Sequence, residues 1–259
     1  MDIARAAELQ RNSLGDYIEM VASGSPGAQL IDLDGVRAAV VPATPQRSIP
    51  NSVTYAAADA LADAHTELSA RYAEAGVSAW TVWVPEFDRD AIELLERAGH
   101  RFDGSPAAMT LELAAFDPPD LGDLDWDRGC DGATLGRIND RAYGHEEADG
   151  YAGALSGLGE RAGLRLYRAM VDGEPVSALG TIDHTEPDGA ADCGIYLVAT
   201  DPAYRRRGLS TRLLAAALIE ARERGCATST LQGSGAGRPI YQALGYEHPF
   251  DLHLYERRH

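Results

Sequence analysis

The sequence predicts a mixed α/β protein made of two similar halves, and three observations carry that expectation. Its 259 residues, 45% hydrophobic and 24% charged, have ordinary globular composition. At this size about three quarters of the unfolded surface can be buried. An acidic run with two prolines and a glycine, Phe116-Asp-Pro-Pro-Asp-Leu-Gly-Asp-Leu-Asp-Trp126, reads as a linker or long turn near mid-chain. On either side of it the same order of elements recurs. The expected division is a domain over 1–115, a linker over 116–125 and a second domain over 126–259.

In the first half, Gln29–Leu33 and Val36–Val41 read as strands around an Asp34-Gly35 turn. A short apolar stretch near Val53 follows, then a helix over Ala57–Ala75 and a strand over Ala79–Val84. A helix over Arg89–Ala98, ended by Gly99 as its C-cap, leads to a strand at Ala108–Leu113. In the second half, Arg165–Val171 and Pro175–Ile182 flank Asp172-Gly173. A strand at Cys193–Ala199, a long helix from Leu209, a strand at Ala227–Gln232, a helix at Pro239–Leu244 and a strand at Asp251–Tyr255 complete it. Gly35 aligns with Gly173, and Gly99 with Gly245. Residue identity is poor, but the shared order of five strands and two helices favours a diverged internal duplication over coincidence.

Charge narrows the function classes. Forty acidic against 23 basic residues give a formal −17, a field that repels nucleic acid and anionic lipid, so neither is an expected partner. All the basic residues are arginine, which a GC-rich genome explains. Cys130, Cys193 and Cys226 are odd in number and widely spaced, as free thiols in a reducing compartment would be. The histidines have no ligand spacing, so no metal site is expected. No apolar leader and no stretch of about 18 apolar residues is present, and a soluble, cytoplasmic protein is expected.

The chemistry concentrates in Tyr196-Leu-Val-Ala-Thr-Asp-Pro-Ala-Tyr-Arg-Arg-Arg-Gly-Leu-Ser-Thr-Arg-Leu-Leu214. An apolar strand ends at Asp201-Pro202, and a turn carrying three arginines and Gly208 feeds a helix. Such a turn presents unpaired N–H groups at the positive end of the helix dipole. Gly208 permits close approach to the backbone, and amides so arranged bind phosphate or pyrophosphate. On the arginines alone, a solvated turn paired with Asp201 or with helix acids stands equal. The strand–turn–helix setting favours the anion site.

Arg205-Arg-Arg-Gly208-Leu-Ser210 resembles the Arg/Gln-x-x-Gly-x-Gly/Ala signature of the GNAT superfamily of acyl-CoA N-acyltransferases. Downstream, Leu231-Gln-Gly-Ser-Gly-Ala-Gly-Arg-Pro-Ile-Tyr241-Gln-Ala-Leu-Gly245-Tyr246 is similar to that family's closing strand, loop and helix. The resemblance covers roughly 133–255 well and the first half only in architecture. Ser210, in place of a smaller residue, departs mildly from the pattern. The resemblance implies two domains of one kind in tandem, the first degenerate, each a mixed and mostly antiparallel sheet flanked by helices. It implies acetyl-CoA as acyl-donor cosubstrate. Main-chain groups of Val198, Ala199 and Thr200 would pair with the pantetheine arm, and amides of Arg205, Arg206, Arg207, Gly208, Leu209 and Ser210 would hold the pyrophosphate. Strand 193–199 would splay from strand 227–232 to open the slot. An amide near Val198 would polarise the thioester carbonyl. Tyr241 would protonate the departing thiolate, and Ser234 would add a cofactor contact. A nucleotide-type reading of Gly233-Ser-Gly-Ala-Gly237 fails for want of a following Gly-Lys-Ser/Thr.

The general base is harder to read. Many relatives carry a glutamate on this strand, where Gly194 and Tyr196 stand here; Asp192 is the nearest carboxylate on the same face. A solvent-facing strand start explains it as well as a catalytic role does, and the chain-terminal carboxylate or an ordered water are further candidates. Asn139–Glu147 falls where the family covers its acceptor, so Tyr143, His145, Glu146, Glu147 and Tyr196 are expected to line the substrate pocket. Trp80 and Trp83 belong either to that pocket or to the core. The expected activity is acetyl transfer to a primary amine of a small molecule, with a non-catalytic acyl-CoA-binding regulator as the alternative. The acidic chain leans toward a cationic acceptor. The sequence does not distinguish a monomer from a homodimer.

Overall fold

A computed structural model describes residues 1–145, 150–186 and 189–258. The first half contains α1 (Ile3–Gly24), β1 (Gln29–Leu33), β2 (Val36–Val40), β3 (Ser52–Tyr55), α2 (Ala58–Glu74), β4 (Ala79–Pro85), α3 (Arg89–Arg97), β5 (Arg101–Gly104) and β6 (Ala107–Glu112). The second contains β7 (Trp126–Asp127), α4 (Gly132–Tyr143), α5 (Tyr151–Ala154), β8 (Leu164–Val171), β9 (Glu174–Thr185), β10 (Ala191–Thr200), α6 (Leu209–Glu223), β11 (Cys226–Gly233), α7 (Arg238–Ala243) and β12 (Glu247–Arg258). Both Asp-Gly turns and both helix-ending glycines named above are present, with Gly35, Gly99, Gly173 and Gly245 all at positive φ. That conformation costs a glycine little.

Among the described residues the strands run β1-β2-β3-β4-β12-β6-β11-β10-β9-β8-β7, mostly antiparallel, with β5 paired to β12. Only β3–β4 and β10–β11 are parallel. The centre of this order is an exchange of strands. β6, from the first half, lies between β11 and β12, pairing Leu231 with Met109 and Phe250 with Ala108. The far end of β12, from the second half, lies against β4, pairing Leu254 with Trp83, while its outer side takes β5. Met109 and Leu111 are therefore core residues of the second half, packed with Leu213, Leu214 and Leu218 of α6. Tyr255 is a core residue of the first, packed with α2 and α3. Each half completes its sheet with the other's last strand.

The helices start where the sequence offers an oxygen. Asp2 accepts from the Arg5 amide at the head of α1 (2.8 Å), Asp88 from Ala91 at α3 (3.2 Å) and Asp131 from Thr134 at α4 (2.6 Å), each satisfying one of the orphan amides of a first turn. The helix α1 is absent from the sequence-based reading. It packs on β1, β2 and β3 on one side and on β9, β10 and β11 on the other, and Gln10 donates to Met109 O (2.9 Å) and Leu231 O (3.3 Å). The central acidic run, expected to avoid burial, does bury its first residue. Phe116 sits in the second core with the guanidinium of Arg222 5.9 Å above its ring. Trp80 is core, stacked on Tyr72 with ring centroids 4.6 Å apart. No helix among the described residues is long and apolar enough to cross a membrane.

Candidate active site

The site begins with an irregularity in β10. Tyr196 pairs with Gly180 and Ala199 with Ala178, so Leu197 and Val198 together face the single residue Leu179. Leu197 takes φ +54°, rare outside glycine. An extra residue of this kind bends a strand and increases its twist. The parallel ladder to β11 accordingly stops at Gly194–Thr230, while β11 continues to Gly233 on its other partner, β6. The two strands diverge from Ile195 onward. Val198, Ala199 and Thr200 lie along the diverging stretch, with Ala199 and Thr200 still anchored to β9.

At the far end of that stretch the chain makes a 3₁₀ turn over Pro202–Tyr204 and then the loop into α6. Arg206 (φ +61°) and Gly208 (φ +71°) are both left-handed. Gly208 is the N-cap of α6 and supplies no side-chain acceptor, so the amides of Leu209, Ser210 and Thr211 have no partner within the helix. A Cβ at Gly208 would meet nothing closer than Arg212 Nε at 4.0 Å. The glycine is there for its φ and for access. The arginines do not pair with Asp201, whose carboxylate is 3.5 Å from Arg141. Arg205 donates to the carbonyl oxygens of Ala142 and Thr200, tying the loop to α4. Arg207 lies 5.1 Å from the Tyr204 ring centroid, and Arg206 has no ion pair among the described residues.

Beside the divergence lies a cavity of about 470 Å³. Val198, Tyr196, Ser234 and Tyr241 line it from the second half, together with Tyr143, the last residue of α4, and His145 just beyond it. Glu146 and Glu147 fall outside the described residues. Burial raises the Tyr241 hydroxyl well above the usual phenol range, so it stays protonated. Its ring explains the glycine-rich loop. A Cβ at Gly237 would come within 2.8 Å of that ring and one at Gly233 within 2.9 Å of Met109 Sδ and 3.2 Å of the ring. Burial, and after it the charge of Arg47, lowers the His145 pKa, which leaves the imidazole neutral near pH 7.

Asp192 is not part of the lining. It is 2% exposed, and both its oxygens accept hydroxyl bonds at 2.7 Å, one from Thr228 and one from Thr230. Burial pushes its pKa up to about 6 against those bonds. Gly194 on the same face is required by packing, since a side chain there would overlap the Tyr196 hydroxyl and Ser13.

Sequence reasoning missed the cavity's other wall except for Trp83, which it offered to either the pocket or the core. Tyr17 comes from α1, Arg47 and Ile49 from the segment before β3, Trp83 from β4 and Tyr151 from α5. The Tyr17 and Tyr151 hydroxyls share a short hydrogen bond, and Tyr17 stacks on Tyr196 at 5.9 Å. Arg47 lies 4.8 Å over the Tyr151 ring and pairs with buried Asp140 at 2.9 Å. Asp140 also accepts from the amides of Tyr151 (2.9 Å) and Ala152 (3.0 Å).

The family model of the acetyltransferase (GNAT) domain matches residues 162–248, the stretch that holds the diverging strands, the loop and Tyr241. Residues 162–248 are a GNAT acetyltransferase domain. The chain is an acyltransferase. A GCN5-related N-acetyltransferase from Kribbella flavida shares the fold over 99% of this chain and 96% of its own, at 18% identity and a TM-score of 0.66. One from Sphaerobacter thermophilus does so over 96% and 93%, at 16% identity and 0.53. A GCN5-related glucosamine N-acetyltransferase region of a fungal multi-domain β-N-acetylglucosaminidase covers 93% of this chain and 34% of that one, at 14% identity and 0.58. No curated protein sequence matches the chain. The GNAT match falls on the half whose strands diverge onto the arginine-glycine loop.

Proposed function

We propose that this GNAT protein moves an acetyl group from acetyl-CoA directly to a primary amine of a small molecule, using its second half to hold the donor. The observation that carries the reading is the single space shared by two sets of groups. The diverging edge of β10, which runs on toward the amide loop before α6, and Tyr241 stand on one side of it. A wall built from the first half and α5 stands on the other. In this reading the pyrophosphate lies on the amides of Arg205–Ser210 with the positive end of α6 behind them. The pantetheine arm lies along Val198–Thr200, and Ser234 adds a contact from the opposite bank. The domain division at 116–125 follows the same logic: the donor site is assigned to 126–259.

The transfer forms an amine N–C bond and breaks the thioester C–S bond. The Val198 amide is assigned to the thioester carbonyl, where a fixed donor stabilises developing charge. Tyr241, kept protonated by burial, supplies the proton that the departing thiolate takes up. The amine must lose a proton, and His145 is the side chain among the described lining residues that is both basic and neutral near pH 7. None of the three cysteines lines the cavity, and Cys130 and Cys193 are held as thiols by burial and their surroundings. Direct transfer is therefore favoured over an acyl-enzyme. The deciding measurement is acetyl-CoA binding by calorimetry together with thiol release across an amine panel. Micromolar binding with release on at least one amine is expected. A protein that fails to bind acetyl-CoA would end the proposal.

A further inference from the structure

We infer that the acceptor is a monoamine with an aromatic body, an arylalkylamine in chemical class; this rests on the acetyltransferase reading above. The cavity carries five aromatic side chains besides Tyr241: Tyr17, Trp83, Tyr143, Tyr151 and Tyr196. The protein has already used the polar ends of four of them. The Tyr17 and Tyr151 hydroxyls bond to each other, and Tyr17 also reaches Ile49 O at 3.3 Å. Tyr196 bonds Ser13 Oγ (3.0 Å) and Ser13 O (2.9 Å), and Trp83 Nε1 donates to Ser52 Oγ (2.8 Å). What these residues offer a ligand is ring surface. A flat apolar body gains from such walls through burial and offset or edge-on ring contacts. An aminosugar would set its hydroxyls against faces that have no hydrogen bond to return.

Charge points the same way. The chain is strongly acidic, but among the described residues the lining holds no carboxylate to receive a second ammonium group. Its one arginine, Arg47, is matched by Asp140 behind it. The remaining polar side chains of the lining are Ser105, Asn139, His145, Gln232 and Ser234, and Gln232 is bonded to Gln10 (2.8 Å). Asn139 lines the cavity, and its amide has no hydrogen-bond partner among the described residues; its oxygen suits the single amine N–H.

The test uses the full chain saturated with CoA, titrated by calorimetry with tryptamine, 2-phenylethylamine, n-butylamine, putrescine and glucosamine, alongside turnover of each with acetyl-CoA. Tryptamine and 2-phenylethylamine are expected to bind at least tenfold more tightly than n-butylamine and to have the highest kcat/KM. Tyr143→Ala should reduce that preference at least threefold, through KM, with acetyl-CoA affinity unchanged. At 57% exposed, Tyr143 can be truncated without risk to folding. Putrescine or glucosamine binding as tightly as tryptamine, or no preference across the panel, overturns the assignment. The two readings fail separately. Aromatic preference in binding with no turnover sinks acetyl transfer and keeps the pocket assignment, whereas turnover confined to putrescine or glucosamine does the reverse.

Discussion

The two halves each contain a pair of parallel strands that part company, and only one pair leaves a usable gap. In the second half β10 and β11 separate after Gly194–Thr230, with the cavity beside the divergence and the loop into α6 following the end of β10. In the first half β3 and β4 pair only through Ser52–Thr81 and Val53–Val82. There α1 fills the space. Leu14 and Ala6 pack against Trp83, Leu252 and Phe250, leaving about 30 Å³ between α1 and the strands, with an open surface depression of about 520 Å³ outside it at Tyr55, Ala56 and Pro85. Tyr55 closes the mouth by donating to Asp88 at 2.7 Å. The helix that follows begins at Ala58, capped by Ala57, with no arginines and no left-handed glycine between β3 and it. One fold thus yields a donor slot where a bulge and a glycine loop coincide, and a packing surface where a helix lies in the gap. The sealed half still serves the site, because the same α1 carries Tyr17 into the cavity and β4 carries Trp83.

Matching substitutions at the two helix starts test this contrast most severely. Gly208→Glu puts a carboxylate at the proposed pyrophosphate site and forces a side chain into φ +71°. Acetyl-CoA affinity measured by calorimetry should fall at least ~100-fold. Ala57→Glu, at the corresponding exposed start of α2, should leave that affinity unchanged. Equal losses at the two positions would mean that the halves do not differ as described. Next in size is Tyr241→Phe, which removes the proposed acid and keeps the ring that Gly233 and Gly237 accommodate. Its kcat in single-turnover assays should drop by roughly 100-fold, the lower range for a lost proton donor, with acetyl-CoA affinity intact. A smaller effect is expected from Leu14→Ala in the sealed gap. Loss of a fully buried leucine costs about 2–5 kcal/mol, which calorimetric melting should register as a clear fall in Tm. Donor affinity should not change, since the emptied space lacks the loop.

Much of the second half was legible because its information is local. A turn with arginines and a glycine between an apolar strand and an apolar helix is contiguous in sequence, and Gly208 is read that way; Tyr241 and Ser234 come from the resemblance of the downstream segment, and both line the cavity. The strand Gln29–Leu33 is read to the residue for the same local reason, a hairpin signal at Asp34-Gly35. The helix α1 escaped because Gln10, Ser13 and Asp16 are buried along with Leu14, Tyr17 and Ile18. Arg5, Glu8, Arg11, Asn12 and Glu19 stay partly exposed, but the buried polar residues interrupt the apolar stripe that periodicity looks for. The exchange of β6 and β12 is invisible locally, since a strand's sequence does not name its neighbour. Arg47 and Tyr151 escaped in turn because the acceptor wall assembles only after that exchange brings distant segments together.

Asp192 supplies the finest test of the comparison, because the acid nearest the diverging strands in sequence is the one that the fold has buried. Its pKa of about 6 in the folded chain, against 3.8 as a free side chain, follows first from burial. Between those values the folded protein holds a proton that the unfolded chain has released. Stability from this group is complete below about pH 4 and is lost as pH rises through 6. Asp192→Asn keeps the shape without the charge. It should therefore raise stability at pH 8 by on the order of 1–3 kcal/mol, a few degrees or more in Tm, and give no gain at about pH 3, below both values. Turnover should stay within about twofold of the parent, since Asp192 lies outside the cavity lining. A variant that melts no lower than the parent yet loses most of its kcat would place the general base on β10 after all, and would remove His145 from that role.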